Sequence, residues 1–246
     1  MELKIAHLYG DIMNVYGDSG NIATLLYRAR ARQIAVSVTV LSVGDALAAE
    51  EYDLYFFGGG QDAGQEIVAA DLARITPVLR AEVERGCALL SVCGGYQLLG
   101  QSYETSLGHV LPGASILPVN TLNGPTRLMQ NVVIALAPSL DINRDQSGLA
   151  VGFENHSGRT TLTTGATPLG RVIVGGGNNG LDGTEGVLYR HAIGTYLHGS
   201  CLPKNPHLAD WLLTKALLAH YGPVVLLPLD DAYEWAAHRR ASEFSA

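Results

Sequence analysis

The sequence has few cysteines, and they form no pattern that would stabilise a fold or bind a metal. Cys87, Cys93 and Cys201 are an odd number of thiols, which argues against the disulfide framework of a small secreted domain. No CxxC pair or His/Cys cluster has the spacing of metal ligands, so no metal site is expected. Each cysteine is therefore either a buried structural thiol or a nucleophile.

Charge and long apolar runs are also limited. Charged residues make up 16% of the chain, the formal net charge is -7, and no run of Lys and Arg is present, so nucleic acid is not an expected partner. No apolar run approaches the roughly 18 residues of a membrane span. The opening residues, MELKIAHLYG, lack the pattern of a signal peptide. We expect a cytoplasmic protein that does not span a membrane.

The first half of the chain alternates between strand and helix patterns. Strands are predicted at residues 3–8, 35–43, 53–57 and 87–92. Helices are predicted at residues 21–32, after a capping Ser19, and at residues 65–85, before Gly86. This alternation predicts an α/β fold with a mostly parallel sheet flanked by helices.

The second half has a different character. Short β-like pieces separated by Gly, Asn, Asp and Pro fill residues 107–194 and predict an antiparallel extension of the sheet. A last helix is predicted at residues 206–220. We predict a single domain over residues 1–220. The tail, residues 221–246, is expected to be partly helical, and it packs on the domain, docks on a partner or frays.

The stretch LLSVCGGYQLLG places a thiol where a buried strand ends and a helix begins. In open α/β sheets this carboxyl edge is where ligand sites gather. Gly94 and Gly95 keep the turn after Cys93 free of side chains, and the helix start favours a thiolate. Cys87 begins an apolar strand and fits a packing role. Cys93 is thus the candidate nucleophile.

A thiol nucleophile needs a base within hydrogen-bonding reach. His198 follows a short apolar strand in AIGTYLHGS, so it can face the same sheet edge as Cys93. His156, in GFENHSG, has a similar setting and is the alternative. The run Gly58–Gly60, in YFFGGGQD, allows backbone N–H groups to approach a substrate. A phosphate loop is disfavoured there because the run lacks the P-loop Lys-Ser/Thr and the GxGxxG spacing.

Together, FFGGGQD, SVCGGYQLLG and IGTYLHGS resemble the Triad-type (class I) glutamine amidotransferase domain. GFENHSG resembles the corresponding segment of the CobB/CobQ-like subgroup, found in cobyric acid and cobyrinate diamide synthases. The opening HLYGDIMNVYGDSGN and LYRHAIGTYLHGSCLPKNPHLAD are similar to a narrower family, GatD, the glutaminase subunits of lipid II isoglutaminyl synthases. The resemblance covers nearly all of residues 1–220.

The resemblance implies roles for individual residues. Cys93 would attack the side-chain amide of L-glutamine to form a thioester, and His198 would activate the thiol and protonate the departing ammonia. Backbone N–H groups of Gly59, Gly60 and Gly94 would form the oxyanion hole.

Two further side chains are candidates for binding the substrate. Gln97 lies one helical turn after Cys93 and is predicted to line the pocket. Arg127, in NGPTRLMQN, matches the position at which the family places an arginine for the substrate α-carboxylate. The alternative is an exposed loop arginine.

The sequence departs from most Triad-type domains at Ser200, where a glutamate usually orients the histidine. The CobB/CobQ-like subgroup also lacks this acid. The orienting acid is then either Glu154 in this chain or an acid of a partner subunit.

The resemblance also implies a partner. The chain is too short to add an ATP-grasp or Mur-ligase fold, and it has no Walker A motif. The expected partner is a Mur-ligase-like synthetase subunit (MurT type) in a heterodimer. That subunit would carry ATP and any metal, and would amidate D-glutamate of lipid II to D-isoglutamine. No cofactor is expected in this chain. The alternatives are a glutaminase serving a cobalamin-type synthetase, a non-catalytic regulator, or a thiol hydrolase.

Overall fold

A six-stranded sheet, mostly parallel, forms the centre of the protein. The computed structural model describes residues 1–15, 18–142 and 147–243. The strands of this central sheet are β1 (Glu2–Leu8), β2 (Ala35–Leu41), β3 (Leu54–Phe57), β4 (Ala88–Val92), β11 (Val187–Tyr189) and β12 (Ala192–Thr195). Their spatial order is β11-β12-β4-β3-β1-β2, and only β11 runs antiparallel to its neighbour. Every residue of β3, β4 and β12 is buried, as expected for parallel strands covered on both faces.

A second six-stranded sheet accounts for most of the second half of the chain. Its strands are β5 (Ser102–Glu104), β6 (Val110–Pro112), β7 (Val119–Leu136), β8 (Leu149–Leu162), β9 (Gly170–Val174) and β10 (Thr184–Glu185). All its pairs are antiparallel except β5 with β7. The antiparallel character predicted for this region is confirmed, but only β11 extends the central sheet. The long β7–β8 pair satisfies its own backbone hydrogen bonds and organises a separate sheet.

Five α-helices complete the described part of the fold. They are α1 (Ser19–Ala31), α2 (Asp62–Arg85), α3 (Gly94–Leu99), α4 (Pro206–Tyr221) and α5 (Ala232–Glu243). Helix α2 begins three residues before the predicted start and ends at the predicted stop, because Gly86 adopts a left-handed φ of 96° that caps the helix. The α/β fold predicted from the alternating pattern is therefore confirmed. None of the helices in the described ranges is long and apolar enough to cross a membrane.

The tail of the chain contacts the domain through a buried ionic cluster. Arg28 of α1 is 1% exposed, and its guanidinium donates to Asp210 of α4 at 2.7 Å and to Asp231 at 2.6 Å. Arg32 donates to the same Asp210 at 2.7 Å. We call these four residues the Arg28 cluster. Because Asp231 immediately precedes α5, the cluster fixes the start of the tail helix on the domain.

A second contact fixes the middle of α5. His238 is 2% exposed, and its ring nitrogens lie 2.8 Å from the carbonyl of Lys204 and 3.0 Å from Ser147 Oγ. Residues of the tail thus contact the domain in two places, at Asp231 and at His238. The domain boundary at residue 220 stays a prediction, since α4 runs through it.

We predict that Arg28→Ala destabilises the protein by about 3 kcal/mol or more, because the change leaves Asp231 without its cation and Asp210 with Arg32 alone. The measurement is the free energy of unfolding in urea. The control is Arg190→Ala, which removes an exposed pair with Glu84 and should change stability little. Equal, small effects of both substitutions would contradict a stabilising role for the Arg28 cluster.

Candidate active site

Two paired parallel strands carry the predicted nucleophile and base. β4 lies beside β12, with Val92 opposite Thr195, and the pairing continues one step further because the N–H of Cys93 donates to the carbonyl of Thr195 at 2.9 Å. Cys93 follows β4 directly, and His198 lies three residues beyond the end of β12. The sheet thus brings both residues to the same carboxyl edge, as the sequence predicts.

The backbone at Cys93 is strained. Its φ of 49° and ψ of -105° lie outside the regions that a residue with a Cβ prefers, at a typical cost of about 1–3 kcal/mol. This sharp turn between β4 and α3 lifts the thiol out of the line of the strand, and the side chain remains 7% exposed. A strained strand-to-helix turn of this kind is typical of a nucleophile elbow.

The two glycines after Cys93 have different structural reasons. A Cβ on Gly95 would lie 2.5 Å from the carbonyl oxygen of Phe57, so the close approach of the helix to β3 requires glycine. A Cβ on Gly94 would lie 2.9 Å from the amide nitrogens of Gly60 and of the Gln65 side chain. Glycine at position 94 therefore keeps open the space in front of the Gly60 N–H.

His198 is held in place by its backbone. Its N–H donates to the carbonyl of Phe153 at 2.8 Å, and its own carbonyl accepts from the Phe153 N–H at 3.3 Å, so β8 of the second sheet fixes the histidine loop. The side chain is 1% exposed. A Cβ on Gly59 would lie 3.2 Å from His198 Cε1 and 3.4 Å from Cys93 Cβ, so the imidazole and the thiol flank the same glycine.

The surroundings favour a charged imidazole. Burial lowers the pKa of His198, but the negative charges of Cys93 and Asp18 outweigh burial and raise this pKa to about 10. At neutral pH the site therefore holds an imidazolium next to the thiol, the arrangement that stabilises a nucleophilic thiolate. Burial raises the pKa of Cys87 and of Cys201 to about 12, so these two thiols stay protonated.

The structure contradicts the oxyanion role predicted for Gly59. Its N–H donates to Asp18 Oδ2 at 2.6 Å and is not available to a substrate. Gly95 donates its N–H to the carbonyl of Gly58 at 3.1 Å. Gly60 and Gly94 donate to no acceptor in the described residues, and both lie beside the nucleophile. Their role as oxyanion donors stays a prediction.

The structure also contradicts Glu154 as the acid that orients the catalytic histidine. Glu154 Oε1 accepts from the Gly176 N–H at 2.7 Å and from Gln130 at 2.6 Å, and Oε2 accepts from the Gly177 N–H at 2.8 Å. Its nearest imidazole is that of His156, at 3.6 Å. These bonds hold the carboxylate in the second sheet. The carboxylate that faces His198 is that of Asp18, 3.8 Å from Nδ1.

His156, the alternative base, has a structural position. Its ring stacks on that of Tyr196 with centroids 3.5 Å apart, and its Nδ1 lies 2.8 Å from the Gly158 carbonyl. Burial lowers its pKa despite the neighbouring Glu154, so the ring is neutral at pH 7. The choice of His198 over His156 therefore agrees with the geometry.

Gln97 lies beneath the nucleophile turn and is 3% exposed. Its side-chain nitrogen donates to Tyr196 Oη at 3.1 Å, and its oxygen accepts from Gln65 at 2.9 Å. The Gln65 nitrogen also lies 3.4 Å from the Gly94 carbonyl. Gln97 thus supports the turn from below, and a direct contact with substrate stays a prediction.

Arg127 lies where β7 and β8 lose their register, between Asn123 and Leu128. Because the pairing is irregular here, Arg127 does not follow the regular alternation of side chains between the two faces of the sheet. The side chain is exposed, and its guanidinium donates to the Asn155 carbonyl at 3.1 Å. Its positive charge also reaches Asp62, the first residue of α2. Burial opposes ionisation of Asp62, but hydrogen bonds from Ser106 and Tyr103, together with Arg127, lower its pKa.

Three buried polar residues near the site were missed by the sequence analysis: Asp18, Gln65 and Glu185. Asp18 belongs to the quoted GDSGN segment, but nothing local indicates that it reaches His198. Glu185 is inaccessible to solvent; its Oε1 accepts from the Tyr196 N–H at 2.6 Å and from the Thr195 hydroxyl at 2.9 Å, and burial raises its pKa to about 7. Across the described residues, no three His, Cys, Asp or Glu side chains converge to hold a metal ion.

Comparison with known proteins agrees with this geometry. Residues 4–206 match the model of the CobB/CobQ-like glutamine amidotransferase domain. The chain is 41% identical to the lipid II isoglutaminyl synthase (glutamine-hydrolyzing) subunit GatD of Streptococcus pneumoniae, over 95% of this chain and 86% of that protein. It is also 41% identical to the subunit of the same name from Staphylococcus aureus, over 87% of this chain and 84% of that protein.

Solved structures show the same fold at low sequence identity. A glutamine amidotransferase from Thermotoga maritima superposes with a TM-score of 0.56 at 16% identity, covering 99% of this chain and 97% of that one. The glutaminase domain of the Trypanosoma brucei CTPS superposes with a TM-score of 0.54 at 12% identity, covering 92% and 96%. With its family model matched over most of its length and a cysteine–histidine pair at the carboxyl edge of the central sheet, the chain belongs to the CobB/CobQ-like glutamine amidotransferase domain family.

Proposed function

We propose that this chain is the glutamine-hydrolysing subunit of a lipid II isoglutaminyl synthase and that it supplies ammonia to a separate synthetase chain. The observation that carries the proposal is the placement of Cys93 and His198 at neighbouring ends of β4 and β12, in a chain 41% identical to two proteins of that name. The chain would act in the cytoplasm, where ATP is available to its partner.

The chemistry follows from the two side chains. The Cys93 thiolate attacks the side-chain carbonyl carbon of L-glutamine and forms a tetrahedral intermediate. The developing oxyanion faces the N–H groups of Gly60 and Gly94. His198, as imidazolium, gives a proton to the leaving nitrogen, so the C–N bond breaks, ammonia departs and a thioester remains.

The second half of the reaction frees the Cys93 sulfur from the thioester. The neutral His198 then takes a proton from water, and the resulting hydroxide attacks the thioester carbon. The C–S bond breaks, glutamate leaves, and the Cys93 sulfur and His198 return to the ion pair.

The proposed partner is a Mur-ligase-like synthetase subunit of the MurT type. It would bind ATP, any metal and lipid II, and would activate the α-carboxylate of D-glutamate in the stem peptide. Ammonia from this chain would then form D-isoglutamine. We propose no cofactor in the glutaminase chain, since each step above uses only a thiol, an imidazole, backbone N–H groups and water.

A cobalamin-type partner is the second candidate. The chain is 31% identical to the cobyric acid synthase of Sphingopyxis alaskensis, over 71% of this chain and 36% of that protein. The lipid II assignment is preferred because the identity to the two GatD subunits is higher and extends over most of both chains. A non-catalytic regulator is disfavoured because Cys93 and His198 are both present and adjacent.

We predict that Cys93→Ser lowers glutamine hydrolysis by about 10³-fold or more, because a serine hydroxyl is not ionised by the neighbouring imidazolium. The measurement is glutamate release from glutamine, with and without the synthetase chain. The matched control is Cys201→Ser, another buried thiol, which should retain activity. Equal rates for Cys93→Ser and wild type would contradict the nucleophile assignment.

We predict that Arg127→Ala lowers kcat/KM for glutamine by about 30-fold, since loss of a charge-assisted contact costs about 2 kcal/mol. The effect should fall mainly on KM, with the unfolding transition unchanged. The control is Arg171→Ala, an exposed arginine of the same sheet. Unchanged kinetics would return Arg127 to the exposed loop arginine of the alternative interpretation.

The acceptor is tested with lipid II, ATP, glutamine and both chains together. Mass spectrometry of the stem peptide should show one carboxyl replaced by one amide, and the change should disappear with Cys93→Ser unless ammonia is added. Release of glutamate and ammonia with no change in lipid II would overturn the acceptor assignment while leaving the glutaminase assignment intact.

A further inference from the structure

Asp18 lies between the catalytic imidazole and the glycine turn. It immediately precedes α1 and is inaccessible to solvent. Its Oδ2 accepts from the Gly59 N–H at 2.6 Å, and its Oδ1 lies 3.8 Å from His198 Nδ1. Oδ1 is buried and accepts no hydrogen bond from the described residues. A buried carboxylate oxygen without a donor is costly, so its direction toward an imidazole requires an explanation.

We propose that Asp18 is the positioning residue of the site and that its carboxylate joins His198 to the Gly58–Gly60 turn. One oxygen holds the turn through Gly59, and the other receives the Nδ1–H of the imidazole. Nε2 is then the nitrogen that exchanges a proton with Cys93 and the leaving ammonia. This inference rests on the proposed glutamine hydrolysis. We expect the Oδ1–Nδ1 separation of 3.8 Å to shorten by about 1 Å during catalysis, since catalytic hydrogen bonds often tighten only in the reacting complex.

The segment around Asp18 is fastened to both of its neighbours. The Val15 N–H donates to the Gly59 carbonyl at 3.2 Å, which ties the segment to the glycine turn. On the other side, Asn21 of α1 accepts from the Leu202 N–H at 2.9 Å, just after the histidine loop. A Cβ on Gly20 would lie 2.2 Å from Ser200 Oγ, so α1 packs directly on that loop. Asp18 is thus fixed relative to both groups that it contacts.

Asp18 can take the role of the missing acid. The histidine lacks an acid two residues later, where Ser200 stands, and Glu154 is committed to the second sheet. An acid at the start of α1 can serve instead, because α1 and the loop after β12 pack together. Together with Cys93, Asp18 raises the pKa of His198 against the effect of burial, which agrees with a partner for the imidazolium.

A test of Asp18 must distinguish its effect on His198 from the effects of the other charged groups nearby. Glu185 of β10 is near enough for the histidine to affect its pKa, although its Oε1 is held by Thr195 and Tyr196. Lys204 donates to the Gly199 carbonyl at 3.0 Å. On the far side of Asp18, His7 of β1 has a pKa lowered by burial despite Asp18 and Asp11, so it is neutral. Glu185 is therefore the other acid that could stabilise the His198 imidazolium.

The experiment compares Asp18→Asn with Asp53→Asn in the full chain. Asparagine can still accept from Gly59 but carries no charge, so the turn is kept and the imidazolium loses its partner. Asp53 is the matched control, because it is buried, accepts from the Lys4 N–H at 2.7 Å and pairs with His220 at 3.2 Å, remote from Cys93 in the fold. Glu185→Gln tests whether Glu185, and not Asp18, stabilises the imidazolium.

We expect Asp18→Asn to lower kcat/KM for glutamine by about 10²-fold or more, as for other histidines that lose their orienting acid. The alkaline limb of the pH profile should also move to lower pH, because the imidazolium loses its proton earlier without Asp18. The pH dependence of the alkylation of Cys93 by iodoacetamide should change as well, because a weakened imidazolium stabilises the thiolate less. This readout needs no glutamine. Asp53→Asn should leave both profiles unchanged.

Two results would overturn the inference. One is an alkylation profile of Asp18→Asn that coincides with that of Asp53→Asn; the other is a shift produced by Glu185→Gln and not by Asp18→Asn. If Asp18→Asn does not fold, ¹⁵N NMR of wild-type His198 decides, since a neutral ring without a proton on Nδ1 contradicts the inference. Absence of glutamine hydrolysis in wild type, both with and without the synthetase chain, would refute the proposed function, while alkylation would still report on Asp18.

Discussion

The pairing of β4 with β12 is the constraint on which the site depends. Because the two strands are parallel neighbours, their carboxyl ends coincide, and the residues that follow them are brought together by the backbone pairing. The strained turn at Cys93 and the close approach of Gly95 to β3 are consequences of starting a helix at this edge. Phe153 of the second sheet also fixes the His198 backbone, because the two residues form an antiparallel bridge.

Buried groups of opposite charge stabilise one another in the site. An imidazolium at His198 is tolerated in the interior because Cys93 and the carboxylate of Asp18 lie beside it and raise its pKa against the effect of burial. The carboxylate in turn receives a backbone N–H from Gly59. The neighbouring opposite charges offset the free-energy cost of burying one another, so His198 is charged before substrate binds.

The sequence predicts what local patterns encode. A β-strand followed by a thiol and two glycines, and a second strand followed by histidine, are local signals, and both residues lie where those signals place them. Asp18 and His198 are far apart in the chain, and no periodicity reports their contact. Glu154 is a candidate as an acid of the GFENHSG segment, but the sequence does not reveal that Gly176 and Gly177 donate to it. Nor does a glycine run reveal that the Gly59 N–H is already engaged.

The position of the second sheet in the chain has a consequence for how the protein folds. All six of its strands lie between β4 and β12 in the chain, so the pairing of these two strands must close a loop of roughly 100 residues. Pairings between such distant segments form slowly unless the intervening chain is already compact. The β7–β8 hairpin, which is local and long, shortens that search when it forms first. We therefore expect the thiol and its histidine to come together late in folding, after the intervening strands have paired.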